Sequence, residues 1–203
     1  MKGRVFGAAA AALFLMTAAP AAAQQKSDSY DFLQAIRSQD GTKVNGFLED
    51  KSRRIVNVKD RQTGEGALHI VAARNDSLYL RVLLQQDDCN PNLQDRRGNT
   101  ALNIAASRGW QEGVEILLRY KANVDLPNAS GETPLIRAVQ ESRNVDIVEA
   151  LLKAGADPDR TDNVTGKSAR DYAREATRWP AIAKLLAAAP RVQRGAPAAG
   201  PKL

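Results

Sequence analysis

The stretch that decides the fold is residues 95–125, DRRGNTALNIAASRGWQEGVEILLRYKANVD. It opens with a turn signal that ends at Gly98, and a short apolar helix pattern follows and ends near Gly109. A second helix pattern carries its apolar residues over positions 114–118, and a loop of small residues closes the stretch. Neither short helix can bury its apolar side alone, so this unit needs similar units on both sides.

Units of the same pattern precede and follow this stretch, over residues 63–92, 130–159 and 165–189. Their turn glycines are Gly64, Gly98, Gly131 and Gly166, which are 34, 33 and 35 residues apart. A fixed period near 33 residues, with two short helices in each unit, is typical of a helical repeat array. We therefore predict an all-α fold built from stacked helix pairs.

The units resemble the ankyrin-repeat family, whose first helix opens on the motif Thr-Pro-Leu-His. Residues 133–135 (TPL) and 66–69 (GALH) match two parts of that motif, and residues 114–118 and 147–152 match the family's second helix. The resemblance implies an ankyrin-repeat solenoid of about five units, of which the first and last are degenerate caps. The approximate unit boundaries are 30–61, 62–95, 96–128, 129–162 and 163–189. No particular function follows, because one fold hosts many functions.

The local chemistry of the units agrees with this fold. Thr100 and Thr133 can cap the first helices of their units by accepting hydrogen bonds from free backbone amides. Two single-residue insertions, at residues 87–88 and 142–144, are expected to lie in loops. Where the family has a leucine, the last unit has Arg170, which suits a solvated cap.

The two ends of the chain are predicted to lie outside the fold. Residues 1–23 have a positive start, an apolar run and a small-residue cleavage site, as a secretory signal peptide does. A membrane anchor is the competing interpretation, but the apolar run is shorter than the ~20 residues that a spanning helix needs. We therefore expect an exported protein, periplasmic or else secreted, with no stable membrane anchor after cleavage. Residues 24–29 are predicted to be a polar lead, and residues 190–203 a disordered tail.

Composition argues against several classes of function. The formal net charge is +6 over 203 residues, and the predicted signal contributes two of these charges, so no nucleic-acid partner is expected. Cys89 is the only cysteine and His69 the only histidine, so the chain can form neither an internal disulfide nor a usual zinc site. We expect no cofactor, no metal and no enzymatic activity.

Four side chains admit two interpretations each. His69 stands where the family motif places a histidine that braces an adjacent turn, and this role is favoured over a catalytic base because no nucleophilic partner is recognisable. Cys89 aligns with alanines of other units, and it is either a small buried residue or an exposed reactive thiol. Trp110 and Trp179 begin second helices, and each is expected to pack against its neighbour rather than act as a binding anchor.

The resemblance implies a concave binding face built from the turns and the first helices. By register, the candidate partner-binding residues are Gln62, Glu65, Arg74, Arg96, Arg97, Asn99, Arg108, Glu132, Gln140, Glu141 and Lys167. The four arginines of this set are expected to form a basic cluster in the middle of the array. Such a cluster is either a solvated face that favours solubility or a docking surface for an acidic patch on a partner protein.

The predicted function is non-catalytic protein–protein interaction by a monomer. One alternative is binding of an anionic polymer or membrane surface through the arginine cluster and the basic tail that contains Arg191 and Arg194. A structural accessory without a specific ligand is a further alternative. Residue patterns alone leave the choice open.

Overall fold

The computed structural model describes residues 21–176 and 178–190, with side chains described from residue 28 onward. Most of the predicted signal segment, residues 1–20, and the predicted disordered tail from residue 191 lie outside the described residues. Within the described part of the chain, no helix has the length and apolar character needed to cross a membrane. No strand forms in that part either, which confirms the predicted all-α class.

Ten α-helices form five pairs in residues 21–176 and 178–190. The first helices of the pairs, which we call the inner helices, are α1 (Ala21–Ser38), α3 (Ala67–Arg74), α5 (Ala101–Arg108), α7 (Pro134–Arg137) and α9 (Ala169–Glu175). The second helices, which we call the outer helices, are α2 (Gly41–Glu49), α4 (Ser77–Leu84), α6 (Gln111–Arg119), α8 (Val145–Lys153) and α10 (Pro180–Ala188). Two 3₁₀ segments, Lys51–Arg53 and Ile55–Asn57, lead from the first pair to the second.

The pairs stack in chain order, so the molecule has an inner and an outer layer. Each inner helix packs against the inner helix of the next unit, and α4, α6, α8 and α10 follow one another in the outer layer. One continuous apolar core lies between the layers and the units. Ala105 and Ala138 let the inner helices approach closely, while Leu83, Leu117 and Leu151 fill the space beside them. This arrangement confirms the predicted solenoid of stacked helix pairs.

A loop that we call a tip precedes each of the last four inner helices. The tips are residues 60–66, 95–100, 128–133 and 162–168. Each tip begins with a residue whose Oδ1 accepts two backbone N–H groups further along the tip, and these anchor residues are Asp60, Asp95, Asn128 and Asp162. Each tip turns at a glycine of positive φ, and these are the predicted Gly64, Gly98, Gly131 and Gly166.

Neighbouring tips are joined by backbone hydrogen bonds, which we call the tip ladder. In each rung, the residue after the anchor residue donates its N–H to a carbonyl of the preceding tip. The three rungs are Arg96 to Thr63 (3.1 Å), Ala129 to Arg97 (2.9 Å) and Asn163 to Ser130 (2.8 Å). The tips are so close that a Cβ added at Gly98 would lie 2.6 Å from Ala129 N, and these contacts fix the spacing between units.

The insertion at residues 142–144 is accommodated inside a helix, which corrects the expectation that it lies in a loop. Helix α7 continues as one turn of π-helix, Ala138–Ser142, which the Arg143 N–H closes by bonding to Ala138 O at 2.8 Å. The wider π turn takes up one residue more than an α turn, so the outer helix can still begin in register. The other insertion, at residues 87–88, lies in a loop as predicted.

The first helix is longer than the sequence pattern indicates. Helix α1 extends back to Ala21, so residues 24–29, which were expected to be a polar lead before a helix at Tyr30, are themselves helical. Glutamine and lysine, which open this segment, have favourable helix propensities, and the apolar pattern that marks a packed helix is not needed for helix formation.

The last unit departs from the prediction at Arg170, which is buried rather than solvated. Only 10% of its side chain is exposed. The guanidinium pairs with both carboxylate oxygens of Asp159, at 2.8 and 3.1 Å, and also donates to the carbonyls of Leu186 and Ala189. These acceptors offset the cost of burying the charge, so the position is polar without being open to solvent.

Candidate functional site

His69 braces the tip of the next unit, as predicted. Its Nδ1 accepts the Gly66 N–H at 3.0 Å, so the proton lies on Nε2, which donates to Asn99 O at 2.9 Å. Burial lowers the pKa of His69, and the neutral ring is the form that these bonds require. The side chain is 1% exposed, so its position supports a structural role and gives no access to a substrate.

Asn103 occupies the same place in the next unit and makes the same two contacts. Its Oδ1 accepts the Thr100 N–H at 3.0 Å, and its Nδ2 donates to Glu132 O at 3.3 Å. The start of each of these inner helices is thereby tied to the tip that follows it. In the unit after that, the equivalent residue is Ile136, which is fully buried and cannot donate.

The four predicted arginines do not form one cluster. Arg96 and Arg97 lie on a tip, whereas Arg108 ends helix α5, and the eight residues of that helix separate them by about 12 Å. Arg96 donates to Arg61 O, while the side chains of Arg97 and Arg108 are exposed and have no partner among the described residues. Two free cations therefore stand at opposite ends of one inner helix.

Arg74 is not available for binding in the way that the sequence prediction assumed. Its guanidinium donates to Ile36 O at 2.6 Å and pairs with Asp76 at 2.9 Å, and its side chain is 27% exposed. These contacts join α3 to the end of α1. Arg74 therefore holds two units together, and a helix-end position read from register could not show this.

A polar network joins the inner helices of the third and fourth units. Arg137 pairs with Glu141 at 2.7 Å and with Glu132 at 3.3 Å, and it also donates to Ser107 Oγ at 3.2 Å. Ser107 in turn donates to Glu141 at 2.5 Å. Asn128 donates to Glu132 at 2.7 Å, which extends the network to the tip. The predicted residues Glu132 and Glu141 are thus brought together by Arg137, which the sequence prediction omitted.

The remaining predicted residues lie at four places along the array. Gln62 and Glu65 lie on the first tip, where Glu65 accepts the Thr63 hydroxyl at 3.2 Å. Asn99, on the second tip, is half-buried and accepts a hydrogen bond from Asn128 at 3.2 Å, so it is joined to the polar network. Gln140 lies on the π turn, and Lys167 is paired with Glu175 at 2.7 Å in the last unit.

The anchor residues of the tips are a second group that the sequence prediction missed. Burial alone would raise the pKa of Asp162, but hydrogen bonds from Tyr172 and Thr165 outweigh it and hold this pKa below its usual range. Backbone hydrogen bonds from Thr63 and Gln62 lower the pKa of Asp60 in the same way. An acidic or amide residue three or four positions before each turn glycine is the sequence signal that identifies this group.

The other singled-out side chains are settled by their packing. Cys89 is partly buried, and burial, aided by the charge of Asp88, raises the pKa of its thiol to about 12, which argues against a reactive thiolate. Trp110 is 8% exposed and packs over Gly113, where an added Cβ would lie 2.0 Å from the indole ring. Trp179 is 40% exposed, which differs from the expectation that it is packed. No group of three potential ligands for a metal ion occurs in the described residues.

Comparison with known proteins identifies the repeat. A family model described as ankyrin repeats (3 copies) matches residues 68–162, which run from helix α3 to the last tip. Human BCL-6 corepressor-like protein 1 is 37% identical over 111 residues, which are 55% of this chain. Zebrafish (Danio rerio) neurogenic locus notch homolog protein 1 is 36% identical over 133 residues, or 64% of this chain. A putative ankyrin repeat protein of fowlpox virus, FPV031, is 33% identical over 121 residues, or 58% of this chain.

These relatives are larger proteins, and the matched region is a part of each. It covers 6% of the corepressor-like protein, 5% of the notch homolog and 36% of the viral protein. The likeness therefore concerns the repeat array and not the whole of any relative. Ankyrin repeats are in general protein–protein interaction modules. Residues 68–162 of the chain are thus ankyrin repeats, and the stacked helix pairs form an ankyrin-repeat solenoid.

Proposed function

We propose that this chain is a non-catalytic binding module that holds a partner protein on its concave face. The face consists of the tips and inner helices of the third and fourth units. Its exposed side chains are carried on elements that the tip ladder and the braces hold in place. A preorganised face loses little conformational entropy on binding, so more of the contact energy becomes affinity.

The observation that carries this proposal is the pair of free cations beside the polar network. Arg97 and Arg108 are exposed and unpartnered among the described residues, while Glu132, Arg137 and Glu141 next to them are already paired. A partner carboxylate can therefore pair with either arginine without first breaking an internal contact. The free arginines therefore favour a partner with an acidic patch. Polar groups beside that patch would form hydrogen bonds with the network.

Charge reversal at the two free arginines tests the proposal. We expect the Arg97→Glu/Arg108→Glu double variant to lose most of the partner captured by the wild-type chain. The matched control is Arg119→Glu/Lys121→Glu, which makes the same charge change at exposed residues on and after outer helix α6. Both variants should keep the wild-type melting temperature, because exposed substitutions cost about 0.5 kcal/mol or less. Equal loss in the two variants would contradict a defined concave site.

The same experiment separates the alternative ligands. The carboxylates of Glu132 and Glu141 lie between the free cations and favour a protein with mixed surface charge over a uniform polyanion. Salt-sensitive binding to heparin or anionic vesicles that both double variants weaken equally would instead indicate a general charge effect. A chain that captures no partner in any form would point to a structural accessory.

We further propose that the protein is exported, to the periplasm or beyond the cell, through cleavage of residues 1–23. The support is the order of charged, apolar and small residues in that segment. Mass spectrometry of the N-terminus of the expressed protein tests this proposal directly. A mature chain that begins at Gln24 is expected, and an intact Met1 in the cell extract would contradict it.

A further inference from the structure

The tip ladder ends with an unused donor at the N-terminal end of the array. In every rung the residue after the anchor residue donates its N–H to the preceding tip. In the first tip the equivalent residue is Arg61, which follows Asp60. No tip precedes it among the described residues, which begin with helix α1. The Arg61 N–H accordingly has no hydrogen-bond acceptor among the described residues.

A groove lies beside this donor, where another tip would otherwise pack. It has a volume of about 600 Å³ and is lined on the α1 side by Tyr30 and Leu33 and on the tip side by Val58, Lys59 and Arg61. Tyr30 is 60% exposed, which is high for an aromatic side chain that has an apolar surface next to it. The antiparallel bridge between Lys59 and Gly66 shows that the adjoining backbone is already extended. The groove therefore offers an apolar floor and a main-chain donor to an extended segment.

The rim of the groove is positively charged. Lys59, Arg61 and Arg96 are exposed around it. Lys59 and Arg96 each also donate to one backbone carbonyl, those of Gln94 and Arg61, and keep further N–H donors for a ligand. The one carboxylate in the lining, Asp60, is already paired with Arg37 at 3.1 Å and accepts two backbone N–H groups of its own tip. An incoming acidic side chain would thus meet cations and no uncompensated carboxylate.

The charge of the groove argues against an occupant from this chain. Residues 1–20 and 191–203 contain arginine and lysine but no aspartate or glutamate. The opposite end of the ladder, which a second copy would present, carries Lys167 beside Thr165, whose carbonyl accepts no backbone N–H in the described residues. Lys167 is itself paired with Glu175. The terminal segments would place cations against cations, and a second copy would present a cation that is already paired, so charge complementarity favours an acidic segment of a different protein.

We infer that the free edge at Arg61 is a second docking site, which takes an extended peptide segment bearing acidic side chains from a partner protein. One carbonyl of the segment accepts the Arg61 N–H and so sets its register. Alternate acidic side chains pair with Lys59 and Arg96, and an apolar side chain packs on Tyr30. This site is separate from the proposed concave face and does not depend on that proposal.

Two substitutions at one position isolate the main-chain bond. Arg61→Ala removes the charge and keeps the N–H, whereas Arg61→Pro removes both. Proline is suitable because Arg61 follows the first residue of the turn, a position that favours proline. The probe is a synthetic peptide of sequence Glu-Val-Glu-Phe-Glu with blocked ends, titrated into the ¹⁵N-labelled chain and followed by NMR.

We expect the shifts to concentrate at Arg61, Gln62 and Tyr30. Arg61→Ala should weaken binding a few-fold, and Arg61→Pro should weaken it by about tenfold or more, which corresponds to the loss of one hydrogen bond beyond the charge. Arg97→Glu/Arg108→Glu should bind the peptide like the wild type, which separates this site from the concave face. A peptide in which glutamine replaces glutamate is the control and should bind weakly.

Four results would overturn the inference. The first is the absence of shifts at about 1 mM peptide. The second is a shift pattern centred on Arg97 and Arg108, which would assign the acidic peptide to the concave face instead. The third is equal affinity of the Arg61→Ala and Arg61→Pro variants, which would show that the ladder donor is not used. Concentration-dependent dimerisation that the peptide does not reverse would assign the edge to a second copy.

Discussion

The second to fourth units, which we call the inner units, and the last unit place chemically opposite side chains at the same buried position of the repeat. Two residues after the capping residue, the inner units have Leu68, Leu102 and Leu135, which are at most 2% exposed. The last unit has Arg170 at that place, and it too is buried, at 9% exposure. The same position in the repeat therefore accepts an apolar side chain in three units and a guanidinium in the fourth.

The difference follows from what lies beyond each position. In the inner units another inner helix packs on the far side, and only apolar surface faces the leucine. Beyond the last unit there is no further pair in the described residues, and the end of helix α10 leaves unpaired carbonyls nearby. Arg170 bonds the carbonyls of Leu186 and Ala189 and the carboxylate of Asp159. A charge is tolerated in the interior where the end of the array supplies acceptors for it.

The largest expected effect comes from placing an arginine, as in the last unit, at the equivalent position of a central unit. Leu102→Arg places a guanidinium where no acceptor is available, so we expect a loss of more than about 4 kcal/mol and no cooperative unfolding transition. Circular dichroism during urea denaturation measures this. Leu102→Met, which conserves volume, is the control and should cost less than about 1.5 kcal/mol. A cooperative transition in Leu102→Arg would show that the position is not sealed by its neighbours.

The second largest expected effect comes from removing the buried arginine of the last unit. Arg170→Ala removes one donor from Asp159 and from two carbonyls, so we expect a loss of about 3 kcal/mol in the free energy of unfolding. Arg174→Ala is the matched control, because that arginine makes an exposed pair with Asp171 and should contribute about 0.5 kcal/mol or less. Similar losses in the two variants would mean that Arg170 is solvated in solution, as its polarity alone would predict.

Much of the fold could be predicted because its determinants are local and recur. The turn glycines, the caps at Thr100 and Thr133 and the brace at His69 depend on residues within one unit or at a fixed register in the next. The periodicity of the sequence was therefore enough to predict the helix pairs and their stacking. The burial of Arg170 could not be predicted in this way, because its acceptors lie 11 to 19 residues away, in the preceding loop and at the end of helix α10, and only packing brings them near.

The candidate site was harder to predict than the fold for the same reason. Register placed Arg74 on the binding face, but its contact with Ile36 depends on the first unit, which lacks the family pattern. Register also omitted Arg137, whose importance comes from a contact with Ser107, 30 residues earlier. The π turn was missed because one inserted residue can be absorbed by a helix or by a loop, and composition does not distinguish the two.

A smaller effect compares the two braces of the inner units. His69→Asn gives the second tip the same brace that Asn103 provides to the third, so we expect a loss of only about 1 kcal/mol. Because burial lowers the pKa of His69, the unfolded chain binds a proton more readily than the folded chain. The stability due to neutral His69 is complete above the unfolded pKa of about 6.5 and declines as the pH falls below it.

The comparison of pH profiles tests that sign. The wild-type melting temperature should fall between pH 7.5 and pH 5.5, and the fall should be smaller in His69→Asn. Both proteins contain the same carboxylates, so their shared response to pH cancels in the difference. A difference that does not change with pH would mean that His69 is equally protonated in the folded and unfolded chains.

The smallest expected effect is a stabilisation, and it concerns the loops that join the units. In each loop one side chain accepts a backbone N–H of the next loop, and the three acceptors are Asn57, Asn92 and Asp125. Burial raises the pKa of Asp125, and the nearby charge of Asp157 adds to this shift. A raised carboxyl pKa means that ionisation costs the folded chain stability as the pH rises above the unfolded value of about 3.9.

Asp125→Asn should therefore stabilise the array towards its C-terminal end, because its loop-to-loop hydrogen bond then has an asparagine acceptor like the two before it. The amide oxygen still accepts the Asp157 N–H, and the buried charge is gone, so we expect a gain of about 0.5–1 kcal/mol at pH 7. For an array of this size, each kcal/mol of stability raises the melting temperature by roughly 2–4 °C. Asn92→Asp is the reverse control and should lose stability at pH 7. Both differences should shrink towards pH 3.5, where the carboxyl is protonated, and a difference that persists there would assign the effect to shape rather than to charge.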